Sequence, residues 1–372
     1  MKIFMISPYF YPEIGGAEFA AYEVSRRLAA RGHRVALVTK HFGELRDREI
    51  LHGVEVLRVR ALNVRGLRSL SALPGMLGRS LSMAGGWDIV HAHIPYPSAF
   101  IAWLLRKLKG VPYVVTSQGS ELLDYPEEKP LRLIKPMTAA VLKEASHVHV
   151  ISKALQDSVI KNFGVKASRV TVIPNGVDLE VFNPSRKKRL WDERVILSVS
   201  RLTPKNGLEH LILAMREVVK HQDCRLVIAG DGEQRRFLES LAERKGLKKH
   251  VSFAGWVPYE RVPELLASSE LFVRPSVTEG LGTAFLEAMA CGVPVVGTRV
   301  SGILDIITHM HNGLLVSPGQ PDEIARAILR LLEDDDLRRR LINNGLRFVQ
   351  RYSWDAITDR YEEIYRNVLE AG

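Results

Sequence analysis

The chain is poor in cysteine, has no long apolar run and has no residues at metal-ligand spacing. Cys224 and Cys291 are its two cysteines in 372 residues. With no CxxC pair and no His/Cys cluster, neither a disulfide framework nor a zinc site is expected. No apolar stretch reaches the roughly 18 residues that a membrane-spanning helix needs. The opening MKIFMISPYF has no small-residue cleavage site, and Pro8 and Pro12 interrupt it. It is therefore read as a first buried strand of a cytoplasmic protein rather than a secretion signal. Aromatic residues make up 7% of the chain, against 46% hydrophobic and 25% charged. That balance excludes a disordered or fibrous chain. Also missing are a G-x-G-x-x-G fingerprint, a Walker loop, a zinc finger and a helix-turn-helix, so nucleic acid is not an expected partner.

What the chain does have is positive charge: 52 Lys and Arg against 42 Asp and Glu, a net +10. Such an excess points to an anionic partner. It is uneven: residues 1–183 hold 24 basic and 16 acidic side chains (net +8), and residues 184–372 hold 28 and 26 (net +2). Within the first part, Val56–Trp87 carries Arg58, Arg60, Arg65, Arg68 and Arg79 and no acid. Leu67, Leu70, Leu73, Met76, Leu77 and Leu81 recur there at near-helical spacing. This segment reads either as a basic amphipathic surface for an anionic membrane face or as a crossover helix packed on a sheet. Pro74 and Gly75 are expected to break a long helix there.

At about 150 residues per domain, the length suggests two domains. Apolar, β-rich runs occur at Lys2–Ser7, Arg34–Thr39, Val54–Val59, Asp88–His91, Tyr113–Thr116, His147–Ile151 and Val170–Ile173. A Pro/Asn/Gly-rich, charged pause follows, from Pro174 to Arg189. The series then restarts at Val195–Ser200, Arg225–Ala229, Val251–Ala254, Leu271–Arg274 and Val293–Gly297. Helical patterns lie between the runs. Continuous apolar strands alternating with amphipathic helices predict two doubly wound, Rossmann-like parallel-sheet α/β domains facing across a cleft. The expected division is 1–183, 184–350 and a terminal helix in 351–372. In that helix Trp354, Ile357, Tyr361, Ile364 and Tyr365 share one side.

Ligands of such sheets bind beyond the strand ends. After the first strand, Gly15-Gly16 opens a helix, where bare backbone amides favour an anion. After the first strand of the second series, Arg201 and Lys205 precede Gly207 and another helix, a pattern suited to a diphosphate. Farther on, Glu279-Gly280-Leu281-Gly282-Thr283 leads into a helix that carries Glu287. Were the whole interval helical, the two acids would stand about 12 Å apart along the axis. That is too far for a hydrolytic pair, which needs roughly 5–9.5 Å. Two acids gripping different parts of one extended ligand, beside a diphosphate site, describe a nucleotide sugar.

These residues resemble glycosyltransferase family 4. The likeness is carried by Gly15-Gly16, the Asp88–His93 strand end, Pro174-Asn175-Gly176, Arg201…Lys205…Gly207 and the Glu279-x7-Glu287 block. It covers essentially the whole chain, with the elements in the family's order. The resemblance implies a GT-B fold and a retaining, nucleotide-sugar-dependent hexosyltransferase with no metal cofactor. It implies that Arg201 and Lys205 neutralise the diphosphate and that Glu287 holds the ribose hydroxyls. Glu279 would meet the donor sugar, and amides from Gly280 and Leu281 to Gly282 and Thr283 would cradle phosphate. Gly230, Gly255 and Trp256 would line the nucleoside pocket, and the terminal helix would cross back to the first domain. Two positions depart from the pattern. Asn206 stands where a basic residue usually precedes the glycine, and Gln118 stands where a histidine near the reacting sugar is common. His93, beside His91, is the nearest substitute for that histidine. The implied partners are a nucleotide-sugar donor and a sugar or lipid-linked acceptor, and the basic first part adds an anionic membrane surface at its inner face. A nucleotide-sugar epimerase, a phosphorylase or a non-catalytic sugar-nucleotide-binding homologue stays open as an alternative.

Overall fold

A computed structural model describes residues 1–12, 16–41, 45–61, 68–83, 85–119, 122 and 129–371. The chain forms two compact units, Met1–Asn175 with Trp354–Gly372, and Gly176–Ser353.

The first unit opens with β1 (Lys2–Ile6), α1 (Gly16–Ala30), β2 (Arg34–His41), β3 (Arg48–Leu51) and β4 (Val54–Arg60). It continues through α2 (Arg68–Met83), β5 (Ile89–His93), α3 (Phe100–Lys109), β6 (Tyr113–Ser117) and α4 (Lys129–Glu144). Then come β7 (His147–Val150), α5 (Lys153–Phe163) and β8 (Val170–Val172). Among the described residues these strands form one sheet in the order β3-β4-β2-β1-β5-β6-β7-β8. The central strands are buried on both faces, which is why they read as unbroken apolar runs. β3 is antiparallel to β4 and sits at the edge. Its sequence REIL alternates exposed and half-buried residues, so no apolar run announces it.

Local chemistry fixes the helices. In α1, Ala20, Ala21, Val24 and Leu28 form the buried stripe, with Glu18 in the first turn and Arg27 in the last, complementing the helix dipole. α5 begins where the Ser152 hydroxyl accepts from the Leu155 amide at 3.4 Å and ends at left-handed Gly164. The expected break at Pro74-Gly75 is corrected: α2 runs through both. Pro74 is exposed, and the missing side chain of Gly75 lets the helix lie close against Val59 of β4. The buried stripe is Ala72, Met76 and Ser80, at four-residue spacing, while Leu73, Leu77 and Leu81 are half-buried.

The second unit begins with β9 (Arg194–Val199), α6 (Leu208–His221), β10 (Cys224–Ala229), α7 (Arg235–Arg244) and β11 (Val251–Gly255). Next come α8 (Val262–Ser268), β12 (Leu271–Arg274), α9 (Thr283–Ala290), β13 (Val295–Thr298) and α10 (Ile303–Ile306). It ends with β14 (Leu314–Val316), α11 (Pro321–Glu333) and α12 (Asp335–Val349). Its sheet is parallel throughout the described residues, in the order β11-β10-β9-β12-β13-β14. Asp334 caps α12 by accepting from the Leu337 amide at 2.8 Å.

The last helix, α13 (Trp354–Glu370), joins the core of the first unit. Its Trp354, Ile357, Tyr361, Ile364 and Tyr365 pack with Ile3, Met5, Val24 and Ile89. Both sheets are therefore doubly wound α/β layers whose carboxyl edges carry the loops singled out in the sequence.

Candidate functional site

β9 and β12 are neighbours, so the loops that follow them meet. After β9 the chain makes a tight turn at Pro204–Asn206 and reaches Gly207 in the left-handed region (φ 62°) before α6 starts. A Cβ on Gly207 would lie 2.2 Å from the carbonyl oxygen of Pro275, so only glycine lets the two loops touch. The Lys205 carbonyl then accepts from the Val277 amide at 2.7 Å. Asn206 is buried, and its amide donates to the Arg201 carbonyl at 2.5 Å. In this chain that position clips the loop, and the cation sits one residue earlier. Lys205 is half-buried, and its pKa is lowered, first by burial and then by the guanidinium groups of Arg201 and Arg274. Arg201 itself is exposed.

Sequence reading missed Arg274, the last residue of β12. It forms an ion pair with Glu279 and donates through Nε to the Ser276 hydroxyl at 3.2 Å. Burial lowers its pKa to about 10, with the charge of Glu287 acting in the opposite direction. Glu279 also accepts from the Gly280 amide at 3.1 Å. Glu287, within α9, is pushed up to about 7 by burial, against the pull of Arg274 and a hydrogen bond from Tyr259. One half-buried guanidinium thus engages both acids of the Glu-x7-Glu block. Between them, Gly280 is half-buried, Leu281 is buried, and Gly282 leads into α9 at Thr283 with no side chain capping its amides. Those amides are available to an anion.

Beside this cluster run the ends of β10 and β11. The Gly230 amide donates to the Gly255 carbonyl at 2.7 Å. A Cβ on Gly230 would come within 1.9 Å of the Ser200 carbonyl oxygen, which draws this turn against the end of β9. Trp256 follows at 70% exposure, leaving an indole face open to a ligand.

The remaining candidates lie on the carboxyl edge of the first sheet. Gly16 is the exposed first residue of α1, and Gly15 lies outside the described residues. His93 ends β5 and Gln118 follows β6, its neighbour. Both are buried. Neither ring nitrogen of His93 has a hydrogen-bond partner among the described residues, and burial holds its pKa down at about 3. It is therefore neutral near pH 7, able to hydrogen-bond but not to carry charge. Gln118 accepts from the Asn175 amide at 3.4 Å, and its own amide nitrogen is unpartnered among the described residues. His91 is different: its two nitrogens are taken up by Thr116 and by the Tyr365 hydroxyl of α13, each at 2.7 Å. It is a core histidine.

Comparison with known proteins identifies the family. The family model described as glycosyl transferases group 1 matches residues 182–348, and the one described as glycosyltransferase family 4 matches residues 14–181. An uncharacterized glycosyltransferase of Methanocaldococcus jannaschii is 32% identical over 390 residues, covering 100% of this chain and 99% of that one. Sucrose-phosphate synthase from Thermosynechococcus elongatus superposes with a TM-score of 0.86 at 26% identity, with all of both chains covered. HepE of Anabaena, solved with UDP-glucose, superposes with a TM-score of 0.80 at 23% identity, covering 99% of this chain and all of that one. With both halves matched and a full-length relative above 30% identity, the chain belongs to the group 1 and family 4 glycosyltransferases.

Proposed function

We propose that the chain is a retaining hexosyltransferase that moves a sugar from a nucleoside diphosphate donor to an acceptor hydroxyl. The observation that carries this reading is the cluster at the ends of β9 and β12. Arg201, Lys205 and Arg274 gather there beside Glu279, Glu287 and the uncapped amides of α9. As the bond from sugar to phosphate breaks, negative charge grows on the departing diphosphate. Preorganised cations and amides stabilise that charge most where it develops. Arg201 and Lys205 supply it from one loop and the α9 amides from the next, so the reaction needs no metal, and chelation with EDTA leaves the rate unchanged.

Glu287 suits a pair of ribose hydroxyls, since a carboxylate accepts from both. Glu279 is tied to Arg274 and to the Gly280 amide, which holds it as an acceptor for sugar hydroxyls rather than a free nucleophile. Retention then follows from direct attack on the face that the leaving group vacates, with the leaving phosphate taking the acceptor's proton. The binding of UDP-glucose by HepE supports this class of donor.

Thermal-shift measurements with UDP, GDP, ADP and their sugars test the donor. A ligand at 100 times its Kd adds about 2.7 kcal/mol, and no shift with any of them overturns the reading. Arg201→Ala tests the charge argument: kcat falls roughly a hundredfold if one preorganised donor is lost, and near-normal kcat refutes it. Incubation with donor alone, and with donor plus phosphate, separates transfer from epimerase and phosphorylase chemistry.

A further inference from the structure

The carboxyl edge of the first sheet holds a second basic site, away from His93 and Gln118. The register of β2 on β4 sets Thr39 beside Arg58 and His41 beside Arg60, so these side chains share a sheet face. α2 covers the opposite face, with Gly75 against Val59. Where the strands end, a cavity of about 520 Å³ is lined by His41, Asp47, Arg58, Arg60, Gly75 and Arg79. That volume falls within the range of small-molecule sites.

Each polar group there has a distinct state. Arg58 is buried, paired with Glu49, and donates to the Tyr11 carbonyl at 3.1 Å, so its charge is spent holding the loop after β1. Arg60 and Arg79 are exposed, with no ion pair among the described residues. His41 is 3% exposed, and neither ring nitrogen makes a hydrogen bond among the described residues. The Asp47 carboxylate stands 3.5 Å from its Nε2. A buried imidazole that makes no hydrogen bond, with only a carboxylate at 3.5 Å, is costly unless a ligand completes it. Two exposed guanidinium groups beside it are suited to a phosphate. A single carboxylate in such a site accepts from a hydroxyl rather than binding the anion.

We propose that this pocket holds the phosphate of a phosphorylated polyol or sugar that serves as the acceptor. Arg60, Arg79 and the His41 imidazole take the phosphate oxygens, and Asp47 takes a neighbouring hydroxyl. The assignment rests on the proposed transfer reaction: the donor groups all lie in the second unit, which leaves the acceptor to the first. The same chemistry is offered by a soluble polyol phosphate and by a phospholipid headgroup.

The test uses the full chain. Glycerol 3-phosphate and glycerol are titrated calorimetrically, and co-sedimentation is measured with phosphatidylcholine vesicles with and without phosphatidylglycerol. Arg60→Ala/Arg79→Ala and His41→Asn are run alongside, with UDP affinity measured on every variant. Binding of glycerol 3-phosphate but not glycerol, weakened roughly tenfold or more in both variants, supports a soluble phosphate. Binding only to the anionic vesicles, lost in both variants, supports a headgroup. Equal binding of glycerol, affinities unchanged in the variants, or binding to neither probe overturns the proposal. Hydrogen-exchange protection of β1, β2 and β5 unchanged across the variants shows an intact first unit, and unchanged UDP affinity an intact second unit. Failure of UDP to bind the wild-type chain counts against the donor reading instead.

Discussion

Arg274 joins two acids that the sequence presents as separate features. Glu279 and Glu287 were legible because their spacing and flanking glycines are local. Arg274 stood in plain view at the end of LFVRP, but its engagement with both acids needs α9 folded back over the strand. Tyr259 was missed for the same reason, since its hydrogen bond to Glu287 spans a separate loop. The raised pKa of Glu287 has a consequence for stability. The unfolded chain loses that proton near pH 4.5, whereas the folded chain keeps it to about pH 7. Stability from this group is therefore full below pH 4.5 and declines as pH rises through 7, by about 3 kcal/mol at most. Glu287→Gln, free of that cost, melts at higher temperature than wild type at pH 8 without ligand, and binds UDP more weakly. Paired thermal melts at pH 5 and pH 8, with and without UDP, check both effects. A variant less stable at pH 8 refutes the first.

At the scale of elements, every apolar run named in the sequence falls on a strand, because a strand buried on both faces is mostly apolar. The two strands missed are those for which that logic fails: β3 at an exposed edge and β14, three residues long. Pro74 misled for a related reason. A proline on the solvent side of a helix gives up one backbone hydrogen bond where water can replace it. Packing also explains the histidines of β5 and β7. Burial lowers the pKa of His91, His93 and His149, that of His93 to about 3. Below about pH 6.5 the unfolded chain takes up protons that the folded one refuses, so stability is lost as pH falls through that window. The slope is about 1.4 kcal/mol per pH unit for each histidine. In urea titrations from pH 7 to pH 4.5, His93→Asn lowers that slope by one proton. An unchanged slope means that His93 is not held neutral in the fold.

For the molecule as a whole, the telling feature is that the first unit is closed by the last helix of the chain. Within the second unit, the Val177 amide near its start donates to the Tyr352 carbonyl near its end at 2.8 Å, after which α13 enters the first core. Trp354 packs edge-on to Phe19 at 6.2 Å, and Tyr361 and Tyr365 are fully buried. Arg31 meets Asp359 at 2.7 Å, and His33 meets Glu362 at 3.0 Å. The amphipathic stripe of α13 was readable from sequence, but which core it fills depends on contacts more than 300 residues apart in the chain, such as His33 to Glu362. A defect in α13 should therefore be felt at the amino terminus rather than next to it in sequence. Replacing a buried Trp by Ala costs about 3–5 kcal/mol, so Trp354→Ala lowers hydrogen-exchange protection in β1, α1 and β5. Protection in β9, β10 and β12 stays as in wild type, and so does the stabilisation of that sheet by UDP. Loss of protection confined to the second unit, or spread equally over both, would mean that α13 does not belong energetically to the sheet it covers.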